Sequence, residues 1–128
     1  MRVSFDYDGT LNRYDAVVAY AKELVGRGID VWICTARYFE GSENFLWGKT
    51  SNDDIYTIAR ECVIPISNII FTNMKDKSSY LTEMQPIWHL DDDDYIIGEV
   101  RENSLITAID VKSPSWKYDC EAYIDTHK

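Results

Sequence analysis

Met1-Arg2-Val3-Ser4-Phe5-Asp6-Tyr7-Asp8-Gly9-Thr10-Leu11 opens the chain, and the reading of this stretch decides the fold. Val3 and Phe5 alternate with polar residues, the pattern of a short strand. Asp6 and Asp8 follow at i and i+2, positions that project to the same side in extended backbone. Carboxylates that close repel, and one keeps its proton unless a cation stands beside them. Gly9 can turn through positive φ without a Cβ clash, and Thr10 places a hydroxyl beside that turn. Taken alone, the stretch reads equally well as a hairpin corner, because Asp-Gly after an apolar run is common turn chemistry. The partners supplied elsewhere in the chain separate a turn from a metal site.

Downstream, apolar residues from Tyr14 to Gly26 recur at helical spacing, with Asp15 near the start and Gly28 beyond the end. Ile29 to Cys34 is a mostly apolar run ending in Thr35-Ala36-Arg37, the mark of a strand buried on both faces. Residues 38 to 52 break the period and read as a loop. Its aromatics either cover the mouth of a site or fold back onto the core. Ser51 to Asp54 supply N-cap chemistry for a helix from Ile55 to Cys62. A third strand spans Asn68 to Asn73, and a short helix opens among Lys75, Lys77 and Leu81. A fourth strand, Ile87 to Leu90, stops at Asp91-Asp92-Asp93-Asp94, and a fifth spans Leu105 to Val111. Ile96 to Val100 reads as a short helix or a turn, and the tail from 112 to 128 takes no clear element.

Strands alternating with helices imply βαβ units and a parallel sheet covered on both faces. The expected fold is therefore α/β: a Rossmann-like three-layer α/β/α sandwich with a mainly parallel five-stranded sheet. Right-handed crossovers bring every strand's carboxyl end to one edge, where such sheets bind ligands. That edge would collect Asp6 and Asp8, Thr35, the Lys75/Lys77 pair and the aspartate run.

The 128 residues suit one domain, with 45% hydrophobic and 27% charged residues. Asp and Glu number 22 against 13 Lys and Arg, for a formal charge of −9. That excess argues against a general nucleic-acid binder, though a bound cation can reverse the local field for a small anion. Three scattered cysteines, Cys34, Cys62 and Cys120, argue against a disulfide framework and fit a reducing cytoplasm. No leader or membrane-length apolar run is visible, so no membrane partner is expected.

Asp6-Tyr7-Asp8-Gly9-Thr10-Leu11, then Thr35, Lys77 and Asp91-Asp92, stand in the order of the haloacid dehalogenase (HAD) superfamily motifs. The chain resembles a small capless member of that superfamily of phosphohydrolases up to about Val111. The resemblance implies a Mg²⁺-dependent phosphatase acting through an aspartyl-phosphate. Asp6 would be the nucleophile and Asp8 the acid and base. Thr35 and the Ala36 N–H would hold the phosphate with Lys77. Asp6, Asp92 or its near alternative Asp91, and the Asp8 carbonyl would hold the metal.

Each residue has a plainer reading. Thr35 could cap whatever follows its strand, Lys75 and Lys77 could be solvated, and Asp91 to Asp94 could be an acidic surface loop. Lys77 is preferred over Lys75 because the helix after it would anchor it. Asp93 and Asp94 read as solvated or capping, His89 as structural, and Arg37 as a substrate contact or a surface ion pair. The expected substrate is a nucleotide or small phosphorylated metabolite, with nucleic acid only as a phosphorylated end. Loop 38–49 is the one candidate lid, and an oligomer could cover an open site. The competing readings are a phosphotransferase and a non-catalytic binding or assembly module on the same fold.

Overall fold

A computed structural model describes all residues, 1–128. The strands are β1 (Arg2–Phe5), β2 (Asp30–Thr35), β3 (Ile69–Phe71), β4 (His89–Asp91) and β5 (Ala108–Asp110). The helices are α1 (Asp15–Gly26), α2 (Asp53–Cys62), α3 (Lys77–Met84), α4 (Asp94–Asn103) and α5 (Trp116–Thr126). The strands form one sheet in the order β3-β2-β1-β4-β5, every pairing parallel. The chain winds outward from β1 through β2 and β3, then returns to β1's other side with β4. The direction reverses between β1 and β4, so the crevice beyond their carboxyl ends is the switch point of the sheet.

Alternation along each strand divides the core. Val3, Phe5, Val31, Ile33, Trp88 and Leu90 pack against α1, α2 and α5. Cys34 and Ala108 pack with Leu81 and Met84 of α3 and with Ile97 and Val100 of α4. The first face is built on aromatics. Trp88 stands edge-on to Phe5 at 5.3 Å and stacks on Tyr20 at 6.3 Å, and Tyr20 meets Trp116 at 5.7 Å. Truncating Trp88 to Ala would cost about 3–5 kcal/mol. On the second face the centre of the sheet is polar: Ser4 of β1 and His89 and Asp91 of β4 are all fully buried.

The structure is more regular than the sequence reading at two places. Ile96 to Val100 belongs to the ten-residue α4, whose N-terminus is capped by Asp93, its side chain accepting from the Ile96 N–H. Gly98 and the charged residues around it obscure the apolar stripe of Ile97 and Val100. The tail is not irregular either: α5 docks through Cys120 and Ile124, and the Cys120 carbonyl accepts from the Trp88 indole N–H at 3.1 Å. All three cysteines are buried and free. No helix is long and apolar enough to cross a membrane.

Candidate active site

The chain leaves β1 at Phe5 and turns at once. Residues Tyr7–Leu11 close a tight turn in which Gly9 takes φ +80°. A Cβ on Gly9 would fall on the Asp92 carboxylate, so glycine serves both the turn and the close approach of Asp92. Because extended backbone ends here, Asp6 and Asp8 diverge instead of projecting side by side as expected. Asp6 is 5% exposed and turns inward, whereas Asp8 is exposed.

Asp6 joins the two aspartates that end β4. Carboxylate oxygens of Asp6, Asp91 and Asp92 lie within 4.8 Å of one another. Lys77, the first residue of α3, is 1% exposed and donates to Oδ1 of Asp6 at 2.9 Å and to Oδ2 of Asp91 at 2.8 Å. Thr10 donates to the other Asp6 oxygen at 3.1 Å. Lys75 is exposed and takes no part. Of the two lysines, only the one anchored by the helix reaches the carboxylates.

Asp91 is fully engaged. Its Oδ2 also meets His89 Nε2 at 2.7 Å, and its Oδ1 accepts the N–H groups of Asp92 and Asp93 at 2.9 and 3.1 Å. His89 Nδ1 lies 2.8 Å from Ser4 Oγ. Burial and the Lys77 charge hold the His89 pKa below its usual value, which keeps the ring neutral. Asp91 is an acceptor, so Nε2 carries the hydrogen and Nδ1 accepts from the Ser4 hydroxyl. The Asp92 carboxylate, by contrast, receives no hydrogen bond from a basic, amide or hydroxyl side chain.

The charges follow from these contacts. Burial opposes ionisation of Asp91, but the His89 contact and the Lys77 charge hold its pKa below the carboxylate range. Burial also works against the Lys77 ammonium, and Asp6 with Asp91 more than offset it. Asp6 is pushed well above the usual carboxylate value by burial, against the pull of Lys77, with Asp91 and Asp92 adding to the rise. Three carboxylates against one ammonium leave an excess of two negative charges when all are ionised. Hard oxygen donors carrying that excess fit Mg²⁺, which takes carboxylates and keeps several waters. The Asp92 carboxylate is free of donors from the protein, whereas each Asp6 carboxylate oxygen accepts one hydrogen bond, from Lys77 or Thr10, and keeps a lone pair that could face an ion.

Thr35 and Ala36 leave β2 at the same edge. The Thr35 hydroxyl oxygen accepts the Arg37 N–H at 3.3 Å, and the Ala36 N–H has no acceptor within the protein. Arg37 forks between two carboxylates: it donates to both oxygens of Asp8 at 2.9 and 2.8 Å and to both oxygens of Asp54 at 2.8 and 2.9 Å. It also lies over the Tyr7 ring at 5.1 Å. From sequence, Asp54 offers only capping chemistry for α2. Its tie to Arg37 crosses 17 residues and has no local signature. The Ser4–His89 link was within reach of the strand period, which puts Ser4 with Asp6 and His89 with Asp91 on one face.

The loop between β2 and α2 divides its aromatics. Phe45 is buried and Phe39 packs on Phe71 at 5.5 Å, while Trp47 stays 73% exposed, edge-on to Phe45 at 4.8 Å. No protein-family model and no curated protein matches this chain.

Proposed function

We propose that this chain is a Mg²⁺-dependent phosphatase of the HAD type, hydrolysing a phosphomonoester through an aspartyl-phosphate on Asp6. The observation that carries the reading is the convergence of Asp6, Lys77, Asp91 and Asp92 at the switch point of the sheet. Such a site is where an open α/β sheet takes its ligand.

Mg²⁺, held by Asp6, Asp92 and the Asp8 carbonyl, would supply positive charge to the phosphate oxygens. Thr35 donates its hydroxyl hydrogen and Ala36 its N–H to those oxygens, which orients the phosphorus towards Asp6. An Asp6 oxygen forms a bond to phosphorus as the bond to the leaving alcohol breaks, and Asp8 gives that alcohol its proton. In the second half, Asp8 takes a proton from water. The water oxygen attacks phosphorus, the bond to Asp6 breaks, and phosphate leaves with the Asp6 carboxylate restored. Lys77 faces Asp6 throughout and offsets charge there.

Release of phosphate from p-nitrophenyl phosphate tests the reading. Turnover that needs Mg²⁺, stops in EDTA and is lost in Asp6→Asn is expected. Turnover unchanged in Asp6→Asn would remove the nucleophile, and no turnover of any phosphomonoester would leave the module reading.

A further inference from the structure

The geometry points to a nucleobase site beside the reacting centre, so that the substrate is a nucleoside monophosphate. This rests on the phosphatase reading for its phosphate end; the base site itself stands on separate observations. A cavity of about 390 Å³ opens between the β2–α2 loop and the turn after β3, lined by Arg37, Tyr38, Phe45, Asn52, Asp54 and Met74. Small-ligand pockets begin near this size, at about 300 Å³. Arg37 is a wall of the cavity and also the partner of Asp8, so the cavity adjoins the proposed acid.

The walls select the ligand. Tyr38, Phe45 and Met74 offer flat or adaptable apolar surface, which suits the faces of a heterocycle. Asn52 offers the polar contact. It is 3% exposed, and its amide nitrogen donates to the Tyr38 carbonyl at 3.0 Å and to Glu40 at 2.9 Å. Both partners can only accept, which fixes the amide orientation. Its Oδ1 accepts no hydrogen bond from the protein and keeps solvent contact at the cavity wall, so it is open to a donor. Every common base carries an N–H or NH₂ on its pairing edge that could fill it. The Arg37 guanidinium is already spent on Asp8 and Asp54, so the cavity holds no free cation for a second phosphate. A neutral base fits there, and a diphosphate does not.

The backbone around the cavity is strained. Asn73 and Met74 are successive non-glycine residues with φ of +55° and +65°. The turn is held by the Met74 N–H on the Ala36 carbonyl at 2.7 Å and the Asn73 N–H on the Arg37 carbonyl at 3.2 Å. Strain of this kind persists where surrounding structure imposes it, and it collects at ligand sites. Here it sets the exposed Met74 against the cavity.

Trp47, edge-on to the Phe45 wall, makes binding visible. Adenosine, guanosine, cytidine and uridine are titrated without metal while tryptophan fluorescence is followed, with Trp47→Phe identifying the responding residue. Saturable quenching by at least one nucleoside and none by ribose is expected, weakened tenfold or more in Asn52→Ala. No saturable response to any nucleoside overturns the site, and this holds for the wild-type chain whatever Asn52→Ala does to folding. With Mg²⁺, the matching monophosphate should exceed ribose 5-phosphate at least tenfold in kcat/KM. Equal turnover of the two overturns the base as the determinant of specificity. Nucleoside binding with no turnover of any phosphate strikes the phosphatase reading and leaves the base site standing.

Discussion

Lys77 Nζ stands 2.9 Å from Oδ1 of Asp6, with the ammonium buried and the carboxylate nearly so. A buried ammonium needs its carboxylates, and buried carboxylates need their ammonium. Removing one member leaves uncompensated charge, typically at a cost of about 3–5 kcal/mol. Lys77→Met should therefore lower unfolding free energy by about 3 kcal/mol and abolish phosphate release. Lys75→Ala, at an exposed position, should change stability by less than about 0.5 kcal/mol. Urea denaturation of both variants checks the pair of outcomes, and the reverse ranking would exchange the roles of the lysines.

The raised pKa of Asp6 carries a pH dependence of definite sign. A group whose folded pKa lies above its unfolded value contributes stability fully below the unfolded value, about pH 4 for a carboxyl, and loses it as pH rises through the folded pKa. Asp91 has the opposite sign: its pKa is lowered, so its contribution is present above about pH 4 and lost in stronger acid. In EDTA the melting temperature should therefore decline as pH rises out of the carboxyl range, so that it is lower at pH 8 than at pH 5. Mg²⁺ should raise it more at pH 8 than at pH 5, because the ionised form of Asp6 is the one that would hold a cation. Asp6→Asn should flatten this slope and remove the Mg²⁺ shift. Scanning calorimetry at the two pH values decides it.

Gly9 joins the turn and the close approach of Asp92, a proposed metal ligand, in one residue. An added methyl meets both an unfavourable φ of +80° and the Asp92 carboxylate. The strain should cost about 1–2 kcal/mol, and Asp92, the flexible partner, should swing away. Gly9→Ala should fold, but bind Mg²⁺ at least tenfold more weakly by calorimetric titration. Unchanged affinity would take Asp92 out of the metal site.

The opening stretch made the fold legible because β1 is the centre strand of the sheet. Once Asp6 ends it, the later strands have to bring their carboxyl ends to the same edge. The order of Lys77 and Asp91-Asp92 along the chain then pointed to side chains that the structure does bring together with Asp6. What stayed illegible has physical causes. α5 shows the core only Trp116, Cys120 and Ile124, one residue per turn, while Tyr118 and Tyr123 stay exposed, so its apolar stripe is too narrow to read. The divergence of Asp8 from Asp6 depends on where the strand gives way to the turn, and alternation assumes that it continues. Arg37 meets Asp54 only because the loop from 38 to 52 folds back onto the start of α2, where Tyr56 and Asn52 both donate to Glu40.

Asp8 gives the sharpest kinetic test, because the acid and base roles proposed for it separate by leaving group. The carboxylate is held by Nε and Nη2 of Arg37, at 2.9 and 2.8 Å, and must turn from that edge to reach a substrate oxygen. An alkyl alcohol leaves poorly without a proton, whereas p-nitrophenolate leaves unaided. General acid and base catalysis of this kind contributes about 10²–10⁴ in rate. Asp8→Asn should therefore lower turnover of an alkyl phosphate by at least about 100-fold. With p-nitrophenyl phosphate the first half should survive and the second should stall, since no base activates water. Stopped-flow traces should show a burst of p-nitrophenol equivalent to one per chain, and acid-quenched enzyme should carry phosphate on Asp6. A linear trace at the wild-type rate would place the proton transfer on another group.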